Sequence, residues 1–319
     1  MDDKPAGTHV ILGTGPLGLA LARQLLARGE AVRLVNRSGR LPVTESGTPQ
    51  AMRADLSDPR AARQACAGAT VVYHCLGLPY PQWRQFPALM AKVIEAATQA
   101  GARLVYGDNV YAYGAVESPI REGTPETATT VKGRIRAQVA AMLLQAHRDG
   151  RVQAAIGRAS DFFGPGVTDA SMLGTRVFAR LLAGKPAQVV GDPQRLHSYT
   201  FVEDFARTLV TLGRRDEALG QIWHVPNAPA ESTAAIVARI AALTGRPAST
   251  STLPRWLLAL AGLFDGNARE LREMLYEFEA DFVVDATRSE TVLGLAATPL
   301  EQSLRDTVQW WRRRAAIQV

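Results

Sequence analysis

THVILGTGPLGLALARQLLARGEAVRLVN, residues 8–36, decides how the rest of the chain reads. It opens on a short apolar run, Thr8–Leu12, that predicts a buried strand. It continues as residues 16–28 with Leu17, Ala20, Leu21 and Leu25 at helical spacing, and it closes on a second apolar run over 31–35. Between the first strand and the helix stands Gly13-Thr14-Gly15-Pro16-Leu17-Gly18. A G-x-G-x-x-G pattern alone is weak; directly after a strand and opening a helix it predicts a dinucleotide site. Gly13 then permits the tight turn, Gly15 lets the backbone approach a pyrophosphate, and Gly18 lets helix and strand pack closely. Pro16 falls in the first helical turn, where its missing N–H is no loss. The free N–H groups and the helix dipole attract phosphate there.

The end of the second strand selects the nucleotide. An NAD site would place Asp or Glu there to accept from the ribose 2′-hydroxyl. This chain has Asn36-Arg37-Ser38, a neutral amide followed by a guanidinium whose planar fork suits a 2′-phosphate. NADP is therefore expected ahead of NAD. Asp55 and Leu56 follow the next short strand, where Asp55 could accept from the adenine amino group and Asp58 before Pro59 reads as a helix cap. Leu76 and Gly77, at the carboxyl end of the apolar strand 70–76, complete the cofactor residues.

Farther along, helical patterns over 86–99 and 132–147 alternate with apolar strands over 103–106 and 152–156, the mark of parallel βαβ units. This predicts an α/β protein, a Rossmann-type doubly wound parallel sheet over 1–160. A smaller C-terminal substrate-binding region over 161–319 is expected to send residues about 196–225 back to the first domain. The apolar segment 253–264, led by Trp256, suits either a lining of the substrate pocket or a buried core helix. Ile135, Val139, Met142 and Leu143 form a stripe that suits either a homodimer contact or packing against the chain's own sheet.

Composition narrows the function. The 319 residues carry a net charge of +6, but basic residues are scattered among acids and only Arg312-Arg313-Arg314 form a run, so nucleic acid is not the expected partner. The first five residues resemble no signal peptide, and no apolar run approaches the roughly 18 residues of a membrane span. With two cysteines, Cys66 and Cys75, no disulfide framework is implied, and a reducing cytoplasm is expected. No His/Cys/Asp/Glu cluster has metal-ligand spacing.

Taken with Ala54-Asp55-Leu56, Val71-Val72-Tyr73-His74, Asn109-Val110-Tyr111-Ala112-Tyr113-Gly114, Lys132, the run from Gly157 to Gly166, and Tyr199 to Asp204, the glycine turn resembles that of the extended and atypical short-chain dehydrogenases/reductases, the NAD-dependent epimerase/dehydratase superfamily. The resemblance covers nearly the whole chain and implies a Rossmann sheet, a small C-terminal substrate region and often a dimer. It also implies a Tyr-x-x-x-Lys pair in which the lysine holds the nicotinamide ribose. Here Lys132 is present but the tyrosine position is Ala128. The family's first turn glycine is Leu12, its Ser or Thr four residues before the Tyr-Gly pair is Asn109, and the arginine that often grips a nucleotide-sugar phosphate is His197.

Hydride chemistry at a carbinol needs a group to move the hydroxyl proton. Tyr111, where the family often has a site-lining hydroxyl residue, is the substitute proton donor. Asn109 would polarise the substrate oxygen, and the Lys132 ammonium would favour the phenolate. Tyr113 reads as structural, His74 as a satisfied core histidine, and His197 either as an anion contact or as an inert loop residue. The expected function is an NADP-dependent oxidoreductase, or an epimerase or dehydratase that cycles its cofactor, acting on a small carbonyl or hydroxyl compound. The alternative is a non-catalytic NADP-binding sensor.

Overall fold

The run 8–12 forms β1 (Thr8–Leu12), buried at every residue but its first, as a strand covered on both faces should be. A computed structural model describes residues 7–41, 49–169, 171–252 and 273–317. After β1 come α1 (Pro16–Leu26), β2 (Val32–Asn36), β3 (Gln50–Arg53), α2 (Pro59–Cys66) and β4 (Ala69–His74). A 3-10 turn, Tyr80–Gln85, leads into α3 (Phe86–Ala100). It is followed by β5 (Arg103–Asn109), a 3-10 turn Val110–Ala112, α4 (Val131–Arg148) and β6 (Ala154–Ala159).

These strands and Ile222–His224 make a seven-stranded sheet. From the Ile222–His224 edge the order runs through β6, β5, β4, β1 and β2 to β3. β1 pairs in parallel with β2 through Leu12 and Val35, and with β4 through Leu12 and His74. The chain leaves β1 toward β2 and leaves β4 toward β5, in opposite directions across the sheet. The gap beyond the carboxyl ends of β1 and β4 is thus the topological switch point where open α/β sheets bind ligands. Side chains of α1 (Leu17) and of the helix Val202–Arg214 (Phe205, Leu209) meet over Gly107, while α3 and α4 pack together and on β5.

Several element limits differ from the sequence expectation, each for a local reason. α1 stops at Leu26 because Ala27 caps it and Gly29 turns left-handed at φ +76°. β5 runs three residues past Tyr106, through Gly107, Asp108 and Asn109, which are poor strand formers. The parallel ladder to β6, ending on the pair Asn109–Ala159, holds them extended. Asp58 caps α2, its Oδ1 accepting from the Arg60 N–H at 2.9 Å. In α4 the residues Ile135, Val139 and Leu143 are buried within the single chain, while Met142 is half-buried.

Two compact units divide the chain: 1–112, 131–159 and 205–223 form the first, and 113–130, 160–204 and 224–319 the second. The second has its own core, in which Phe163, Phe178, Phe201, Ile236, Leu304 and Trp311 pack together. The segment 253–264, with Trp256, lies outside the described residues. Among the described residues no helix is long and apolar enough to cross a membrane, and no group of His, Cys, Asp or Glu could hold a metal ion.

Candidate active site

The turn after β1 keeps both neighbours of the strand engaged. Gly13 N–H donates to Val35 O at 3.0 Å, and Cys75 N–H donates to Leu12 O at 2.9 Å. The chain must reverse within this bracket, which places Gly13 at φ +108°, where a Cβ would also stand 2.9 Å from the Cys75 carbonyl oxygen. Gly18 is confined more severely, since its Cβ would lie 2.1 Å from the Gly13 oxygen. Gly15 is the opposite case: a Cβ there would meet nothing within 4 Å. No protein atom requires a glycine at 15, but an open backbone at the start of α1 is what close approach by a phosphate requires.

That open side faces a cleft of about 740 Å³, lined entirely by the first unit. Gly13, Thr14, Gly15, Asn36, Arg37, Asp55, Leu56, Leu76 and Gly77 are in its wall. Pro16, Leu17 and Gly18 lie within α1 behind the turn, and Ser38, like Lys132, is outside the wall. The opposite wall holds Gln82, Arg84 and Gln85 from the 3-10 turn, and Ala88, Leu89 and Lys92 from α3. Sequence reading did not single these out for the cofactor; the one available signal was the scarcity of lysine, which makes Lys92 conspicuous.

Asn36 organises the loop instead of offering its polar atoms to the cleft. Its Oδ1 accepts from the Ser38 and Gly39 N–H groups at 2.9 and 2.6 Å, and its Nδ2 donates to Arg40 O at 2.8 Å and to Thr14 Oγ1 at 3.2 Å. The result is a tight loop that presents Arg37, exposed, at the cleft mouth. Asp55 is held below the usual carboxylate range, chiefly by the Ser57 N–H that its Oδ1 accepts at 2.9 Å, with Arg37 and Lys92 adding positive potential. Three cations, Arg37, Arg84 and Lys92, therefore line the cleft with one carboxylate, a balance that suits an anion.

The expected catalytic residues lie at the end of β5 and on α4. Asn109 is the last residue of β5, and its Oδ1 accepts from the Tyr111 N–H at 3.4 Å, which leaves its NH2 to donate. The Tyr111 ring is 9% exposed and stacks on Trp83, with centroids 5.9 Å apart. Lys132 is buried on the first turn of α4, its Nζ 4.8 Å from the centre of the Tyr80 ring. Because α4 begins only at Val131, Ala128 precedes the helix. The position four residues before Lys132 is thus off the helical face that the family's spacing presumes.

Three other readings gain a structural account. Tyr113 is buried, with its hydroxyl 2.7 Å from His224 Nε2. His74 is buried at the end of β4, edge-on to Tyr106, but it is not a satisfied core histidine. Neither ring nitrogen has a hydrogen-bond partner, and burial pushes its pKa down to about 4, so it stays neutral. His197 is not an inert loop residue. In the second unit it forms a two-residue strand with Leu196 and lies between the Phe278 and Phe282 rings. Its Nε2 is 2.9 Å from Asp161 Oδ2 and its Nδ1 is 3.1 Å from Glu277 O. Its partners come from segments 36 to 85 residues away in sequence, which is why spacing alone did not show them.

The profile of the NAD dependent epimerase/dehydratase family matches residues 10–225. No curated protein sequence matches. Among solved structures, MoeE5 in complex with UDP-glucose and NAD is similar at 22% identity and TM-score 0.79, over 97% of this chain and 100% of that one. The epimerase Mth375 from Methanothermobacter thermautotrophicus is similar at 18% identity and TM-score 0.82, over 98% and 94%. The dTDP-glucose 4,6-dehydratase from Bacillus anthracis in complex with NAD is similar at 14% identity and TM-score 0.78, over 98% of each chain. Identities this low establish a shared fold.

Proposed function

This chain belongs to the NAD-dependent epimerase/dehydratase family, and from that premise we propose that it is an NADP-dependent oxidoreductase, or an epimerase or dehydratase that restores its own cofactor. Its substrate is a small carbonyl or hydroxyl compound. The observation that carries this reading is the cleft at the switch point, open above Gly15 and lined by the cations Arg37, Arg84 and Lys92. The residues fit a dinucleotide: the bare backbone at Gly15 leaves room for a pyrophosphate at the start of α1, and the Arg37 guanidinium in the cleft wall supports a 2′-phosphate. When bound, the nicotinamide supplies or accepts the hydride.

The protein's own groups do the rest. Tyr111 moves the hydroxyl proton, Asn109 donates a hydrogen bond to the substrate oxygen through its NH2, and Lys132 supplies positive charge beside the site. The pairing of His197 with Asp161 speaks against a nucleotide-sugar phosphate. In the position where an arginine would grip that anion stands an imidazole already bonded to a carboxylate, and an incoming phosphate would meet the Asp161 charge. A smaller or more apolar substrate follows.

The cofactor part is tested by titration. Wild-type protein is expected to bind NADPH more tightly than NADH. Arg37→Ala should weaken NADPH by about 1.5–3 kcal/mol, the scale of a hydrogen bond to a charged group, and leave NADH nearly unchanged. Equal affinities of the wild type for the two nucleotides would reject the NADP assignment.

A further inference from the structure

The 3-10 turn Tyr80–Gln85 stands between the dinucleotide cleft and the residues expected to do chemistry. Lys132 and Arg136 are four residues apart on α4 and so share a face. Each lies on an aromatic ring of the turn: Lys132 Nζ is 4.8 Å from the Tyr80 centroid, and Arg136 Cζ is 4.4 Å from that of Trp83. Trp83 also contacts Tyr80 at 5.3 Å and stacks on Tyr111 at 5.9 Å, while its indole N–H donates to Leu78 O at 2.9 Å and fixes the ring. Gln82, Arg84 and Gln85 of the same turn line the cleft. One six-residue turn thus touches Lys132, Tyr111 and the cleft wall.

We propose that Tyr80 is the positioning residue for Lys132, its ring face fixing the ammonium in a chain whose residue 128 is alanine, and that Trp83 braces Tyr111 from the same turn. The physical need is clear. Lys132 is 1% exposed, and a buried ammonium must be compensated. An aromatic face contributes to that compensation through its quadrupole and takes no proton in return. A ring on the turn also fixes where along α4 the charge sits, which a solvated lysine would leave to chance. This inference rests on the functional reading above for its consequence, but the contact between Tyr80 and Lys132 is tested without turnover.

The experiment is residue-resolved acylation of the full chain with acetic anhydride, read by peptide mass spectrometry. Lys185, in the second unit, serves as the internal reference. Tyr80→Leu should raise the labelling rate of Lys132 about tenfold relative to Lys185, the scale of one desolvated cation–π contact, whereas Tyr80→Phe should stay within about twofold of wild type. The same Tyr80→Leu protein should bind NADPH several-fold more weakly in a fluorescence titration, with Tyr80→Phe again restoring wild-type behaviour. Unchanged Lys132 labelling in Tyr80→Leu would overturn the proposal. Equal acceleration in both variants would overturn it too, because the hydroxyl and not the ring face would then be responsible. Wild-type protein that binds no NADPH, beside variants that show the Lys132 labelling pattern, would sink the cofactor reading and leave the role of Tyr80 standing.

Discussion

Tyr111→Phe is expected to lower kcat by about 10²–10⁴-fold with little change in NADPH affinity, the range that general acid–base help supplies. The substitution removes one oxygen and keeps the ring, so the stack on Trp83 persists. Asn109 cannot replace it, because an amide donates a hydrogen bond but not readily a proton. Lys132→Ala should differ in kind: it should lower kcat and weaken NADPH together, since one ammonium serves both. Steady-state kinetics beside nucleotide titration separates the two patterns. A Tyr111→Phe enzyme with wild-type kcat would remove Tyr111 from the chemistry.

The largest stability effect is expected one residue before Asn109. Asp108 is buried on β5, its Oδ2 accepting from Arg158 Nε at 3.0 Å and its Oδ1 3.6 Å from Arg136 Nη1. The second contact is an ion pair without a hydrogen bond, and Oδ1 has no hydrogen-bond partner. Arg136 is further held over the Trp83 and Phe86 rings and donates to the Tyr106 hydroxyl. Asp108→Leu would strip both buried guanidinium groups of their carboxylate, at a cost of about 3–5 kcal/mol. An exposed pair such as Glu301–Arg305, with side chains 45% and 61% exposed, should cost no more than about 1 kcal/mol when broken by Glu301→Ala. Denaturant midpoints of the two variants against wild type measure the contrast. An Asp108→Leu midpoint no lower than that of Glu301→Ala would contradict it.

The readings that succeeded at the level of the fold rest on local sterics. Gly13 and Gly18 are demanded by backbone atoms a few residues away or on the adjoining strand, so their spacing carries the turn wherever it occurs. Alternating apolar runs likewise report a sheet buried on both faces, whatever covers it. What stayed hidden depends on segments brought together by folding. Arg84 and Lys92 reach the cleft from the turn and helix after β4, at least 47 residues beyond Arg37, and nothing local marks them as facing it. Tyr80 sits in Leu78-Pro79-Tyr80-Pro81, which reads as an ordinary loop until α4 lays Lys132 on its ring. His197 reads as a loop residue because both of its hydrogen bonds and both of its flanking phenylalanines lie elsewhere in sequence. The strand β5 was legible only to Tyr106, since the ladder to β6 and not intrinsic preference carries Gly107 to Asn109.

Whether the residues proposed for the chemistry, Asn109, Tyr111 and Lys132, move hydride is tested most directly by isotope transfer. The protein is incubated with NADPH carrying deuterium at nicotinamide C4 and a panel of small aldehydes, ketones and hydroxy compounds, and both nucleotide and products are weighed by mass spectrometry. Deuterium on the carbinol carbon of at least one product, or its loss from the nucleotide in the presence of one panel member, is the predicted result. Nucleotide that binds tightly, keeps all its label and leaves every panel member unlabelled would contradict it, and would make the chain a binding protein that senses NADPH without consuming it.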